Sequence, residues 1–220
     1  MLANSEWISP GRRWILPGAG LVAMAAAFAV DSAVTGRFFL PVHDRLWQVA
    51  HGISQYADWP PVLLAGLATV AGLAGARKHA AARLLLLILV AGLLSGLGAT
   101  IIRSTTGRTR PTAPAPQGFY GPYYRGKWMV GNYDYSSFPS GHTATWAGLA
   151  GAAWVRRRSL AVACLLGGVV VAWSRMALGC HHFSDVTAAL VWGLAVGHWL
   201  VNRLENTMDT LWYRMGLPAQ

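Results

Sequence analysis

The chain has 220 residues, 54% of them hydrophobic and only 12% charged, and its mean hydropathy is +0.37. That is too apolar for an ordinary soluble domain. The net charge of +10 would suit a nucleic-acid partner if the basic residues formed one face. They sit instead in small clusters between apolar stretches, as in membrane topology, so nucleic acid is excluded and membrane lipids, anionic headgroups above all, are the expected partners.

Six apolar stretches follow in chain order, at about 14–34, 60–76, 84–102, 142–155, 160–174 and 183–201. A straight span needs roughly 20 apolar residues, with a range near 17–25. The first, third and sixth meet this length; the other three are shorter and are expected to extend into their flanks. The predicted fold is all-α: a polytopic membrane helix bundle of about six transmembrane helices, forming one domain over residues 1–220. The first stretch, with Arg12-Arg13 before it and Ala27-Phe28-Ala29 within it, also has features of a signal peptide. Its length and the spans that follow favour a retained helix. Frequent glycine, 25 residues in all, suits helices that pack closely in a bilayer. If the fifth stretch is helical, Cys164 and Cys180 lie on the order of 20 Å apart, too far for a disulfide. No C-x-x-C or zinc spacing occurs, and neither a metal nor another cofactor is expected. The sequence sets no oligomeric state.

Orientation follows from the basic loops. One side carries Arg12, Arg13, Arg77, Lys78, Arg83, Arg156, Arg157, Arg158, Arg203 and Arg214. The other carries Arg37, Arg45, Arg103, Arg108, Arg110, Arg125, Lys127 and Arg175. The short 77–83 and 156–159 loops are densely basic, and short loops weigh most. A multi-pass inner-membrane protein with both termini cytoplasmic is expected.

Three patches then fall together on the extracytoplasmic side: Arg103-x6-Arg110-Pro111, Pro139-Ser140-Gly141-His142, and Ser174-Arg175-x5-His181-x3-Asp185. They hold what phosphoryl transfer needs: cations for phosphate oxygens, a nucleophile, an acid and a group to orient the nucleophile. Asp185 follows His181 by four residues, which on a helix places both on one face. The carboxylate could hold one ring nitrogen as N–H and leave the other free as a nucleophile; alone, such a pair equally reads as helix stabilisation. Arg103, Arg110 and Arg175 could form a phosphate clamp, since guanidinium forks match phosphate oxygens. Boundary arginines that snorkel to headgroups are the plainer reading, and it suits Arg37, Arg45, Arg108 and Arg125. Ser140-Gly141-His142 opens a helix, whose free N–H groups favour anions. Gly141 admits close approach, Ser140 could serve as N-cap, and His142 is placed to protonate a leaving oxygen. His182 finds no third metal ligand, His43, His51, His79 and His198 read as loop or boundary residues, and Asp31 reads as the outer boundary of the first span. The aromatic segment 117–135 reads as an interfacial belt, with a lid over the headgroup as the sharper idea.

These patches resemble the signature of the type 2 phosphatidic acid phosphatase (PAP2) superfamily, K-x6-RP, PSGH and SR-x5-H-x3-D. Order and spacings agree, and Arg103 stands where the pattern has Lys. The resemblance implies a metal-independent lipid phosphatase without cofactors. It makes His181 the nucleophile that forms a phosphohistidine, Asp185 its orienting group and His142 the acid and later the base. It makes Arg103, Arg110, Ser140, Gly141 and Arg175 the phosphate holders. Haloperoxidases that bind vanadate share the pattern, but six spans speak against them. The expected substrate is an envelope lipid phosphate: undecaprenyl diphosphate first, lipid A second, then phosphatidylglycerophosphate or phosphatidate. The alternatives are a lipid phosphotransferase using the same phosphohistidine, or a non-catalytic lipid transporter.

Overall fold

The structure is a computed structural model that describes residues 15–42 and 44–214, with side chains over 18–42 and 44–204. Arg12, Arg13 and His43, and the side chain of Arg214, lie outside the described residues. Among the described residues seven α-helices carry the fold: α1 (Ile15–Val34), α2 (Arg45–Tyr56), α3 (Trp59–Gly75), α4 (His79–Thr106), α5 (Gly141–Ala153), α6 (Arg158–Ala177) and α7 (Phe183–Arg214). A small antiparallel hairpin, β1 (Tyr123–Tyr124) and β2 (Lys127–Trp128), lies in the long α4–α5 connection.

Each of the six apolar stretches lies mainly in a helix, but the count of six spans is not confirmed. Among the described residues four helices are long and apolar enough to cross a membrane: α1, α4, α6 and α7. A fifth span results if α2 and α3, which meet at a 58° bend, are taken as one. The helix expected as the fourth span, α5, has 13 residues and at 1.5 Å per residue is about 20 Å long, short of a hydrocarbon core of roughly 30 Å.

The helix starts and stops follow local chemistry. Asp44 caps α2 by accepting from the Leu46 N–H at 2.7 Å, and Asp58 caps α3 by accepting from the Trp59 N–H at 2.8 Å. Pro60 and Pro61 occupy the first turn of α3, where an N–H is not needed. Gly107 ends α4 with φ +57°, and a Cβ there would lie 2.0 Å from the Gly121 carbonyl oxygen; only glycine fits both conditions.

Short as it is, α5 is the hub, packed against α4, α6 and α7. Its inner residues are almost all Ala, Gly and Thr, and ten of them are buried. Small side chains let the backbones touch: a Cβ on Gly197 of α7 would stand 2.1 Å from the Gly148 carbonyl oxygen of α5. Close backbone approach of this kind is how helices gain packing energy where lipid removes the hydrophobic drive between them. A layer of larger residues, including Ile88, Leu89, Leu149 and Val201, fills the space between α4, α5 and α7.

The connectivity sorts the loops to two ends. The ends of α4 and α6 and the starts of α5 and α7 meet at one end, where residues 107–140 fold over them. At the opposite end, the α3–α4 and α5–α6 turns lie beside each other, with Leu73, Ala81, Arg157 and Ser159 lining one depression.

Candidate active site

His181 sits in the α6–α7 turn and is wholly buried. Its Nδ1 lies 2.7 Å from the Ser137 carbonyl oxygen. A carbonyl can only accept, so Nδ1 carries the hydrogen and Nε2 is left with its lone pair. Burial pushes His181 down to about 3; Asp185 opposes the shift and Arg175 adds to it. The imidazole is therefore neutral at physiological pH. Burial, ahead of the arginine charges, is the leading cause.

Asp185, also fully buried, lies 3.6 Å from His181 Nδ1 through Oδ2. The pair does meet, but not on one helix face as expected: His181 precedes α7, which begins at Phe183, and the ring's closest hydrogen bond goes to the backbone. Asp185 accepts from Ser137 Oγ at 2.5 Å, from the His182 N–H at 2.8 Å and from Arg108 Nη1 at 2.6 Å.

Arg108 departs from its expected place at the headgroups. It is buried and bridges Asp185 to Asp31, which it meets through Nη2 at 2.6 Å. The rings of Phe28, Phe119 and Phe138 surround its guanidinium at 4.9–5.9 Å. Asp31, read from the sequence as a span boundary, is buried and also accepts from the Ser184 N–H at 2.8 Å. A lone acid in an apolar helix was the available signal, because such residues face protein partners. The identity of the partner was not available, since Arg108 is 77 residues away.

The three predicted clamp arginines gather around this centre. Arg110 stacks over Tyr133, 3.6 Å from the ring centroid, and donates from Nε to the Tyr133 carbonyl at 2.8 Å. Burial pulls its guanidinium below the ordinary value, with Arg175 pulling the same way. Arg175 is tethered by Nη1 to Ser54 Oγ of α2. Arg103 reaches the start of α5: its Nη1 would lie 3.7 Å from a Cβ on Gly141. Ser140 occupies the N-cap position of α5 but makes no side-chain cap bond; its hydroxyl accepts from Thr143 Oγ1 at 3.0 Å. His142, in the first turn, places Nε2 3.3 Å from Asp58 Oδ1.

Among the described residues three buried side-chain nitrogens have no hydrogen-bond partner: Arg110 Nη1, Arg175 Nε and His181 Nε2. Buried polar nitrogens are normally paired. The orphans comprise two guanidinium donors and one imidazole lone pair, and the charges of Arg110 and Arg175 both act on His181. Donors for oxygen beside a lone pair for an electrophile fit a phosphoryl group. Beside them a cavity of about 570 Å³ opens between His142, Arg175, Tyr133 and the α2–α3 junction. No three His, Cys, Asp or Glu side chains among the described residues form a metal-binding group; His182 instead places Nε2 3.0 Å from the Thr109 carbonyl oxygen.

The profile of the PAP2 superfamily matches residues 80–209. The chain belongs to the PAP2 superfamily. No curated protein matches it. Its fold is similar to that of the transmembrane PAP2 type phosphatidylglycerolphosphate phosphatase from Bacillus subtilis, with a TM-score of 0.56 at 21% identity over 87% of this chain and 94% of that one. The PAP2 match begins at α4, so Asp31 and Asp58, which reach the site from α1 and the α2–α3 junction, lie outside it. Several apolar helices and the PAP2 assignment together make this a multi-pass membrane protein.

Proposed function

We propose that the protein is a lipid phosphate phosphatase that works through a phosphohistidine on His181. The observation that carries this reading is the set of three unpartnered buried nitrogens, one a lone pair and two guanidinium donors. His181 Nε2 attacks phosphorus, and the P–O bond to the leaving group breaks. His142, pushed down to about 4 by burial and so neutral in the free protein, takes up a proton with the substrate and gives it to that oxygen. His142 then takes a proton from water, whose oxygen attacks phosphorus, and the P–N bond breaks to release inorganic phosphate. Arg110, Arg175 and Arg103, the Ser140 hydroxyl and the first N–H groups of α5 hold the non-bridging oxygens, where charge builds as the bonds change. Asp185 stabilises the positive charge that His181 Nδ1–H gains in the covalent intermediate.

The three arginines supply the positive charge that a metal ion brings in other phosphatases, so turnover is expected to persist in EDTA. The apolar helices around the site favour a lipid-borne phosphate. The candidates are undecaprenyl diphosphate, lipid A, phosphatidate and phosphatidylglycerophosphate, the last being the class named for the Bacillus subtilis protein. The basic turns at 77–83 and 156–158 lie at the end away from the site, which supports cytoplasmic termini and an extracytoplasmic site. The test is phosphate release from these four lipids by detergent-solubilised protein in EDTA, beside His181→Asn. Release from at least one that vanishes in the variant is expected; release that survives the substitution would refute the mechanism.

A further inference from the structure

Asp58 joins the site from outside the residues matched to the PAP2 superfamily. It lies where α2 meets α3, and its Oδ1 faces two groups, the Trp59 N–H at 2.8 Å and His142 Nε2 at 3.3 Å. Capping α3 accounts for the first contact. The second joins the carboxylate to the residue that handles the leaving-group proton. The cavity of about 570 Å³ lies on this side of the centre, lined by His142 and Asp58 but not by His181. In an in-line displacement the nucleophile and leaving group stand on opposite sides of phosphorus. With His181 on one side, the leaving group emerges beside His142, into the cavity that Asp58 borders. The rest of the α2 wall is uncharged or titratable only as imidazole: Trp47, His51, Ser54 and Gln55, with Trp47 stacked on His51 at 5.1 Å. Arg175 is the cation that lines the cavity, and it is held by Ser54 at the phosphate end.

We propose that Asp58 is both a positioning residue for His142 and the charge that selects the leaving group: it admits an uncharged alcohol and disfavours a second phosphate. This rests on the proposed phosphatase reading and sharpens it, since it favours phosphomonoesters over lipid diphosphates. One carboxylate near a phosphate at a partly exposed wall lowers binding by about tenfold.

Asn caps a helix as well as Asp does and keeps an acceptor toward His142 Nε2, so Asp58→Asn removes the charge alone. The kcat/KM of full-length protein in detergent would be measured for phosphatidate, whose leaving group is the uncharged diacylglycerol, and for undecaprenyl diphosphate. Asp58→Asn should raise the diphosphate-to-monoester ratio about tenfold, and Asp58→Glu should restore the wild-type ratio. A general loss of packing lowers both rates and leaves their ratio alone. A second arm needs no turnover: the affinities of pyrophosphate and inorganic phosphate are compared by thermal shift, and the Asn variant should gain for pyrophosphate relative to phosphate. Failure of catalysis therefore stays distinct from failure of charge selection. An unchanged ratio in either arm, or one that moves toward the monoester, would overturn the proposal.

Discussion

Arg108→Met tests the buried ion cluster behind the nucleophile. Arg108 is 7% exposed and bonds to Asp31 and Asp185 at 2.6 Å each. Methionine keeps an apolar stem for the Phe28, Phe119 and Phe138 cage but leaves two carboxylates facing each other without a cation. Removing one partner of a buried pair costs about 3–5 kcal/mol, and here one cation serves two acids, so the upper part of that range is expected. At about 2–4 °C per kcal/mol for a chain of this length, the midpoint of thermal unfolding should fall by roughly 10 °C or more. The assay is thermal unfolding in detergent, followed by tryptophan fluorescence. A midpoint within about 2 °C of the parent would refute the reading of Arg108 as the bridge.

Three further outcomes follow from the geometry. His181 is pushed down to about 3 from 6.5, so below about pH 6.5 the unfolded chain binds a proton that the folded chain refuses. His181 should contribute a fall in stability on acidification of about 1.4 kcal/mol per pH unit, or about 2 kcal/mol by pH 5, and His181→Asn should remove that share of the slope in pH-dependent unfolding. Asp185→Asn should lower kcat by about 10²-fold, the scale for losing one electrostatic stabiliser, and not by the larger factor seen where a carboxylate fixes the tautomer. The Ser137 carbonyl already fixes the tautomer here, so a loss above about 10⁴-fold in folded protein would contradict this division of roles. Gly197→Ala should destabilise by about 1–3 kcal/mol because its Cβ meets the α5 backbone. Gly72→Ala, with nothing within 4 Å of the added carbon, should stabilise by about 0.5–1 kcal/mol; denaturation of the two variants side by side checks the contrast.

The long helices were legible because a bilayer writes itself into the chain as apolar length, and α1, α4, α6 and α7 follow from that. The motif residues were legible because their spacings place chemistry on particular turns: His181 and Asp185 do meet, and the orphan nitrogens fall on predicted residues. What the sequence hid is non-local. The amphipathic helix α2 carries no apolar run, so hydropathy does not reveal it, nor Ser54 and the Asp58 junction that it positions. Asp31 and Arg108 each fit a surface role when taken singly; together they form a buried pair behind Asp185. Ser140 shows the reverse: it has the residue type and position of a cap, yet its hydroxyl makes no cap bond and accepts from Thr143 Oγ1 instead. The shortness of α5 was visible, but not that its Gly and Ala faces make it the hub against α7.

The most direct test of the central claim is rapid-quench trapping with a lipid substrate labelled in its terminal phosphate. Wild-type protein should carry acid-labile label on His181 before steady state, and His181→Asn should carry none and release no phosphate. Turnover without enzyme-bound label, together with retained activity in His181→Asn, would contradict the account.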